Sequence, residues 1–211
     1  MPARGARAGL HAALIGVLAL GLGATQARPA AADGAMEPGR IIAALTADWT
    51  GDGLLDAALI IRAKDGMADL VVLTGGEPAG LEPSARAEAA IFAGPMAGQT
   101  PSLAPRSDSS FVVQMEQTAI GRTPWESELT IAWRGGQFVV AGFTHRFYDR
   151  LDPERQGQCD VNLLTGRYEL DYSPGTGIEP VRRSGAGEDR AFPLDALHED
   201  YFPAVCAALH H

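Results

Sequence analysis

The sequence predicts an all-β protein, because short apolar runs alternate with turn-forming residues along most of its 211 residues. Lys64-Asp65-Gly66, Arg134-Gly135-Gly136 and Thr165-Gly166 each separate two such runs. Asp-Gly or Gly-Gly between apolar runs is a strong hairpin signal, and 25 glycines and 14 prolines add further turns. We expect antiparallel sheets, arranged as a sandwich or as two propeller-blade-like units of about four strands each.

The first 27 residues have the pattern of a signal peptide. Arg4 and Arg7 precede the segment 10–24, which lacks charged side chains, and small residues suited to cleavage follow. Cleavage could fall as late as residue 32. The alternative is an uncleaved membrane anchor, for which about fifteen moderately apolar residues are short. We expect export to the periplasm or the extracellular space and no stable membrane insertion after cleavage.

The remaining chain predicts a single β-rich domain over residues 39–209. Its first unit, 39–76, has strands at 40–48, 57–62 and 68–74, and the Pro-, Gly- and Ala-rich stretch 77–105 is expected to be a connection with a short strand at 86–92. A second β unit, 106–172, follows. Its strands are predicted at 111–117, 126–133 and 137–143 and on both sides of Thr165-Gly166. Segment 173–190 is predicted to be a surface loop, and 194–209 a short C-terminal helix.

Residues 48–56 join two of the predicted strands and have the spacing of a cation-binding loop. Oxygen donors recur at alternating positions: Asp48, Thr50, Asp52, the carbonyl of Leu54, and Asp56. Ca²⁺ takes six to eight oxygen ligands from a tightly turning loop, and Gly53 permits such a turn. An EF-hand or dockerin-like loop needs a carboxylate at position 12, where this chain has Leu59.

The loop resembles the FG-GAP or VCBS type of repeat found in integrin-like β-propellers. Asp48, Asp52, Gly53 and Asp56 match the Asp-x-Asp-x-Asp-Gly-x-x-Asp pattern, while Thr50 stands where that family usually has Asp or Asn. The resemblance covers residues 39–76 and implies a bound Ca²⁺ between two strands. The alternative is an acidic turn without an ion, in which the aspartates cap the backbone.

The two cysteines, Cys159 and Cys206, are predicted to form a disulfide, because export delivers them to an oxidising compartment. Two free thiols or an intermolecular bond are the alternatives.

The charge balance excludes nucleic acid as an expected partner. The chain has 17 basic and 26 acidic residues and a net charge of −9, and an acidic surface repels phosphate backbones.

The sequence carries no established catalytic motif such as Gly-x-Ser-x-Gly or His-Glu-x-x-His. His145 and Asp149 could act as a base and its orienting carboxylate near a serine, although four residues of strand separate them by about 13 Å. A polar groove at 148–152 and a sugar-stacking pair formed by Trp125 and Trp133 are further candidates.

The sequence therefore predicts a secreted, calcium-binding β-rich module with a structural or binding role towards a protein or glycan. The alternative is a periplasmic, hydrolase-like enzyme with its site near residues 143–160.

Overall fold

The computed structural model describes residues 37–78 and 80–209, so the predicted signal peptide lies outside the described residues. It confirms the all-β prediction, with 56% strand and 7% helix. No helix of the described residues is long and apolar enough to cross a membrane.

The first sheet is a four-stranded antiparallel meander in the order β1-β2-β3-β4. Its strands are β1 (Ile41–Ala47), β2 (Asp56–Arg62), β3 (Met67–Gly76) and β4 (Gly80–Phe92). The turn between β2 and β3 is the predicted Asp-Gly hairpin, in which Asp65 and Gly66 have φ of 56° and 77°. This geometry matches the right-handed twist of the flanking strands.

The second sheet has eight antiparallel strands, twice the number predicted for a unit. Along its main path the order is β11-β10-β9-β8-β7-β6-β5, and β12 pairs with β8. The strands are β5 (Ser102–Ser107), β6 (Ser110–Gln117), β7 (Trp125–Arg134), β8 (Gln137–Tyr148), β9 (Arg155–Asn162), β10 (Arg167–Pro174), β11 (Val181–Ala186) and β12 (Phe192–Pro193). The hairpins predicted at Gly135-Gly136 and at Thr165-Gly166 join β7 to β8 and β9 to β10.

Two segments predicted as connection or loop contain three edge strands. The interpretation of 77–105 as a connection is wrong, because it holds β4 and most of β5; β11 likewise lies within the predicted loop 173–190. Pro83 and Pro105 obscure β4 and β5, yet proline is tolerated at an edge, where its missing N–H costs no ladder bond. β11 was missed for another reason: its residues are mostly exposed, so the sequence shows no alternation of apolar and polar residues there.

The C-terminal segment contains two 3₁₀ helices, Leu194–Ala196 and Ala204–Leu209, in place of the single helix predicted over 194–209.

The two sheets share one large hydrophobic core, and the described residues form a second, small cluster at Ala132, Val139 and Ala141. The largest fully buried side chains of the large core come from both sheets and from the β1–β2 loop, and they include Trp49, Ile60, Leu70, Ile91, Phe111, Ile131 and Phe138. The segment after β12 also contributes, through Leu194, Leu197 and Leu209.

Candidate functional site

The loop between β1 and β2 is organised by the carboxylate of Asp48. Its Oδ1 accepts the N–H groups of Gly51 and Asp52 at 2.7 and 3.2 Å, and its Oδ2 accepts that of Gly53 at 2.9 Å. Burial alone would raise the pKa of Asp48, but these donors hold it below its usual value. Gly53 has φ of +88°, as predicted for the turning residue.

Asp56 closes the other end of the loop from inside the protein. Its side chain is fully buried. Oδ2 accepts the N–H groups of Trp49 and Thr50 at 2.8 and 3.0 Å, and Oδ1 accepts the N–H of Gly75 at 3.0 Å. Asp56 therefore ties the loop both to its own start and to the end of β3.

The five predicted calcium ligands lie in this one loop, but the carboxylates have backbone partners. Asp52 Oδ1 accepts the N–H of Leu54 at 2.8 Å, as Asp48 and Asp56 do with other amides. Among residues 37–78 and 80–209, no three His, Cys, Asp or Glu side chains converge so that they could hold a metal ion. The arrangement has the features of a capped acidic turn, and calcium binding stays a prediction.

A cavity of about 330 Å³ lies between the sheets, away from this loop. The first sheet and β6 supply Met67, Ala90, Phe92 and Met115; β7 and β8 supply Trp125, Ser127, Leu129, Phe143 and His145; the C-terminal segment supplies 197–202 and Leu209. Its size and mainly apolar lining are typical of a site for a small organic molecule.

Ser127 and His145 form a hydrogen-bonded polar pair in the lining of this cavity. They are directly opposite each other on β7 and β8, and Ser127 Oγ lies 2.7 Å from His145 Nδ1, within hydrogen-bond distance. Both side chains are buried. The pair brings a hydroxyl and an imidazole to the wall of an apolar space, where a ligand's polar group could exchange hydrogen bonds with them.

Asp149, the candidate carboxylate for orienting His145, is paired with two arginines. Asp149 is buried and binds Arg122, whose Nε lies 2.7 Å from Oδ2, and Arg155, whose Nη1 lies 3.4 Å from it. The Arg122 guanidinium lowers the pKa of Asp149 to about 2 against the opposing effect of burial. Asp149 belongs to a corner that joins two loops, and it does not line the cavity.

Arg150 and Asp152 of the candidate groove at 148–152 also hold turns together. Arg150 donates to the carbonyls of Gly121 and Thr118 at 2.8 and 2.6 Å. Asp152 accepts the hydroxyl of Thr176 at 3.1 Å. These contacts give the segment a structural role.

Trp125 and Trp133 do not form a common platform. They lie at opposite ends of β7, about 26 Å apart at the usual strand rise. Trp133 packs on Phe138 with ring centroids 4.9 Å apart. Trp125 packs on Phe92 at 5.5 Å and lines the cavity.

The segment 197–202, which we call the strap, covers one side of the cavity, and the disulfide anchors it. The predicted Cys159–Cys206 bond is confirmed, with the two Cα atoms 5.7 Å apart. Cys159 lies opposite His145 in the β8–β9 ladder. A Cβ at Gly157 would lie 2.5 Å from Leu209 Cδ2 and 2.9 Å from Phe147 Cε1, so a larger residue there would force these buried side chains to move.

Comparison with protein-family models, with curated proteins and with solved structures finds no significant match to the chain.

Proposed function

We propose that the chain is an exported binding protein whose β-sandwich holds a small, largely apolar organic molecule between its sheets. The observation that supports this proposal is the cavity of about 330 Å³, whose apolar wall is interrupted by the hydrogen-bonded pair Ser127 and His145. Sites of this kind combine apolar area for affinity with a few polar groups for orientation.

The composition of the wall favours adaptable binding. Met67 and Met115 reach the cavity from opposite sheets, and methionine adapts its shape to irregular ligands. Trp125, Phe143 and Phe202 add aromatic surface. A ligand that fills the space would bury most of its own apolar surface. Each Å² of apolar surface removed from water favours binding by about 25 cal/mol.

The proposal is tested by titration with N-phenyl-1-naphthylamine, a neutral probe that fluoresces in apolar surroundings. We expect saturable binding at one site. Ala90→Leu, which adds bulk to the cavity wall, should weaken binding at least tenfold, whereas Ala44→Leu on the exposed face of β1 should not change it. Binding that is absent, or equal in the wild type and Ala90→Leu, would reject the proposal. Circular dichroism checks that both variants fold.

Calcium binding by the loop is a second and independent proposal. It rests on the spacing of Asp48, Thr50, Asp52, Leu54 and Asp56 and on the resemblance to FG-GAP and VCBS repeats. The loop does link two antiparallel strands, as that resemblance implies. A cation would have to share carboxylate oxygens that already accept backbone N–H groups.

A hydrolase is the alternative function, and the contact between Ser127 and His145 is the observation that favours it. In that role Ser127 would attack an acyl carbonyl while His145 takes its proton. Incubation with a fluorophosphonate probe tests this directly. Labelling of the wild type that is lost in Ser127→Ala would support the hydrolase, and an unlabelled wild type would reject it.

A further inference from the structure

The charged groups beside the cavity are acidic. Glu199 and Asp200 are exposed residues of the strap at its rim. Within the part of the chain that the structure describes, no Lys or Arg lines the cavity. The remaining titratable groups of its lining are His145, His198 and Tyr201.

Tyr201 adds no negative charge to this lining. Burial raises the pKa of its phenol, and the negative charge of Asp189 raises it further. The hydroxyl therefore stays protonated at neutral pH.

Several aromatic side chains line the same cavity. The centroids of Phe143 and Phe202 are 5.1 Å apart and those of Phe143 and Tyr201 6.0 Å apart, both pairs nearly perpendicular. Phe92 and Trp125 form another pair at 5.5 Å. Aromatic faces carry partial negative charge and attract cations within about 6 Å of the ring centroid.

We propose that the ligand is a cationic amphiphile, an organic amine or quaternary ammonium compound with an apolar body. This inference rests on the proposed function and names the ligand's chemical class. The apolar body occupies the inter-sheet space, and the cationic group lies at the rim beside Glu199 and Asp200, within reach of the aromatic rings of the lining. The Ser127 and His145 pair serves a hydrogen-bonding group on the body.

An anionic ligand of the same shape fits this site less well. Its carboxylate would approach two acidic side chains at the rim, and none of the lining residues named above supplies an Arg or Lys partner. Removing a carboxylate from water without such a partner is costly.

The inference is tested by displacement of N-phenyl-1-naphthylamine with three matched compounds at pH 8 and low ionic strength. These are 4-phenylbutyltrimethylammonium, 4-phenyl-1-butanol and 4-phenylbutyrate. We expect the cation to bind most tightly, at least tenfold tighter than the anion. In water, one rim carboxylate 4 Å from the charge of the ligand changes the affinity about fivefold.

Variants locate the effect at the rim. The double variant Glu199→Gln and Asp200→Asn should weaken binding of the cation about fivefold or more and leave the neutral alcohol unchanged. The control, Asp108→Asn with Glu179→Gln, makes the same change in net charge at exposed residues outside the cavity lining. It should alter neither affinity by more than about twofold.

The outcomes separate this inference from the proposed function. If the fluorescent probe binds but the cation is not the tightest binder of the three compounds, the inference is overturned and the binding function stands. An unchanged cation affinity in the rim variant also overturns it. If neither the fluorescent probe nor any of the compounds binds, both proposals fail.

Discussion

The N–H of Trp49 donates to the fully buried Oδ2 of Asp56 at 2.8 Å, and this bond places Trp49 at the centre of the sandwich. The Trp49 ring packs 4.6 Å from Phe111 and 6.4 Å from Phe138, both in the second sheet. A loop residue of the first sheet is thereby part of the common core. The acidic loop matters to stability whether or not it binds an ion.

Asp56→Asn should destabilise the fold by about 2 to 3 kcal/mol. The amide keeps one acceptor oxygen for the three N–H groups that Asp56 now satisfies, and a buried donor left unpaired costs about 1 to 3 kcal/mol. Urea unfolding at pH 7 measures the change. Asp52→Asn is the control: Asp52 is exposed and its replacement keeps the acceptor for Leu54. Equal stability of the two variants would contradict this role of Asp56.

Calcium should raise the melting temperature by a few degrees if the loop binds it. At ten times the dissociation constant a ligand of the native state adds about 1.4 kcal/mol, and for extracellular modules that constant is about 10⁻⁴ to 10⁻³ M. Thermal melting in 10 mM CaCl₂ against EDTA tests the wild type and Asp52→Ala. Identical melting of the wild type in both buffers would leave the carboxylates with the capping role alone. An equal calcium response in Asp52→Ala would place the ion elsewhere.

The corner at Asp149 should make stability depend on pH in a defined window. The folded-state pKa is about 2, below the value of about 3.9 in an unfolded chain. The carboxylate therefore contributes stability above about pH 4, and this contribution is lost as the pH falls towards 2. The difference in unfolding free energy between the wild type and Asp149→Asn should have its largest value at pH 7 and decrease between pH 4 and pH 2.

Asp171→Asn is the control for that series. Asp171 pairs with Arg182 on the exposed face of β10, with 58% of its side chain accessible, and such surface pairs contribute little. Its difference from the wild type should be small at every pH. A constant difference for Asp149→Asn across the acid range would contradict the role given to Arg122.

Removal of the disulfide should destabilise the protein and loosen the strap. For a sequence separation of 47 residues, the lost loop-closure entropy of the unfolded chain adds about 4 kcal/mol to the free energy of unfolding. Unfolding of Cys159→Ser with Cys206→Ser measures the loss, and thiol titration of the denatured, unreduced wild type should find no free sulfhydryl. Because Cys159 is opposite His145, the variant should also bind N-phenyl-1-naphthylamine more weakly. Unchanged stability would contradict the anchoring role.

The sequence predicts the hairpins because Asp-Gly and Gly-Gly turns are recognisable from neighbouring residues. The contact between Ser127 and His145 depends instead on the register in which β7 pairs with β8. Counted back from Arg134↔Gln137, a regular ladder would place Ser127 opposite Thr144 and His145 opposite Glu126. A bulge between Thr130 and Ile131 shifts the register by one residue and brings Ser127 opposite His145. Gly142, beside the extra residue Ala141 of β8, is the one local signal for that bulge, because an isolated glycine inside a strand often marks one.

The cavity itself could not be predicted for a related reason. Its walls come from β3, β4, β6, β7, β8 and the C-terminal strap, and β4 has too little alternation to be recognised as a full strand. The acidic loop was predictable from the spacing of its aspartates, and the pairing of the two cysteines from the expectation of export. The backbone bonds of Asp48 and Asp56 became apparent only with the fold.

The central claim is that a small molecule binds between the sheets, and the methyl groups of Met67 and Met115 test it most directly. Both methionines line the cavity from opposite sheets, whereas Met96 lies outside the lining and is 36% exposed. In a protein labelled with ¹³C at the methionine methyls, titration with N-phenyl-1-naphthylamine should shift the Met67 and Met115 resonances with one common dissociation constant and leave Met96 unchanged. If Met67 and Met115 do not shift, or only Met96 does, the inter-sheet site is contradicted.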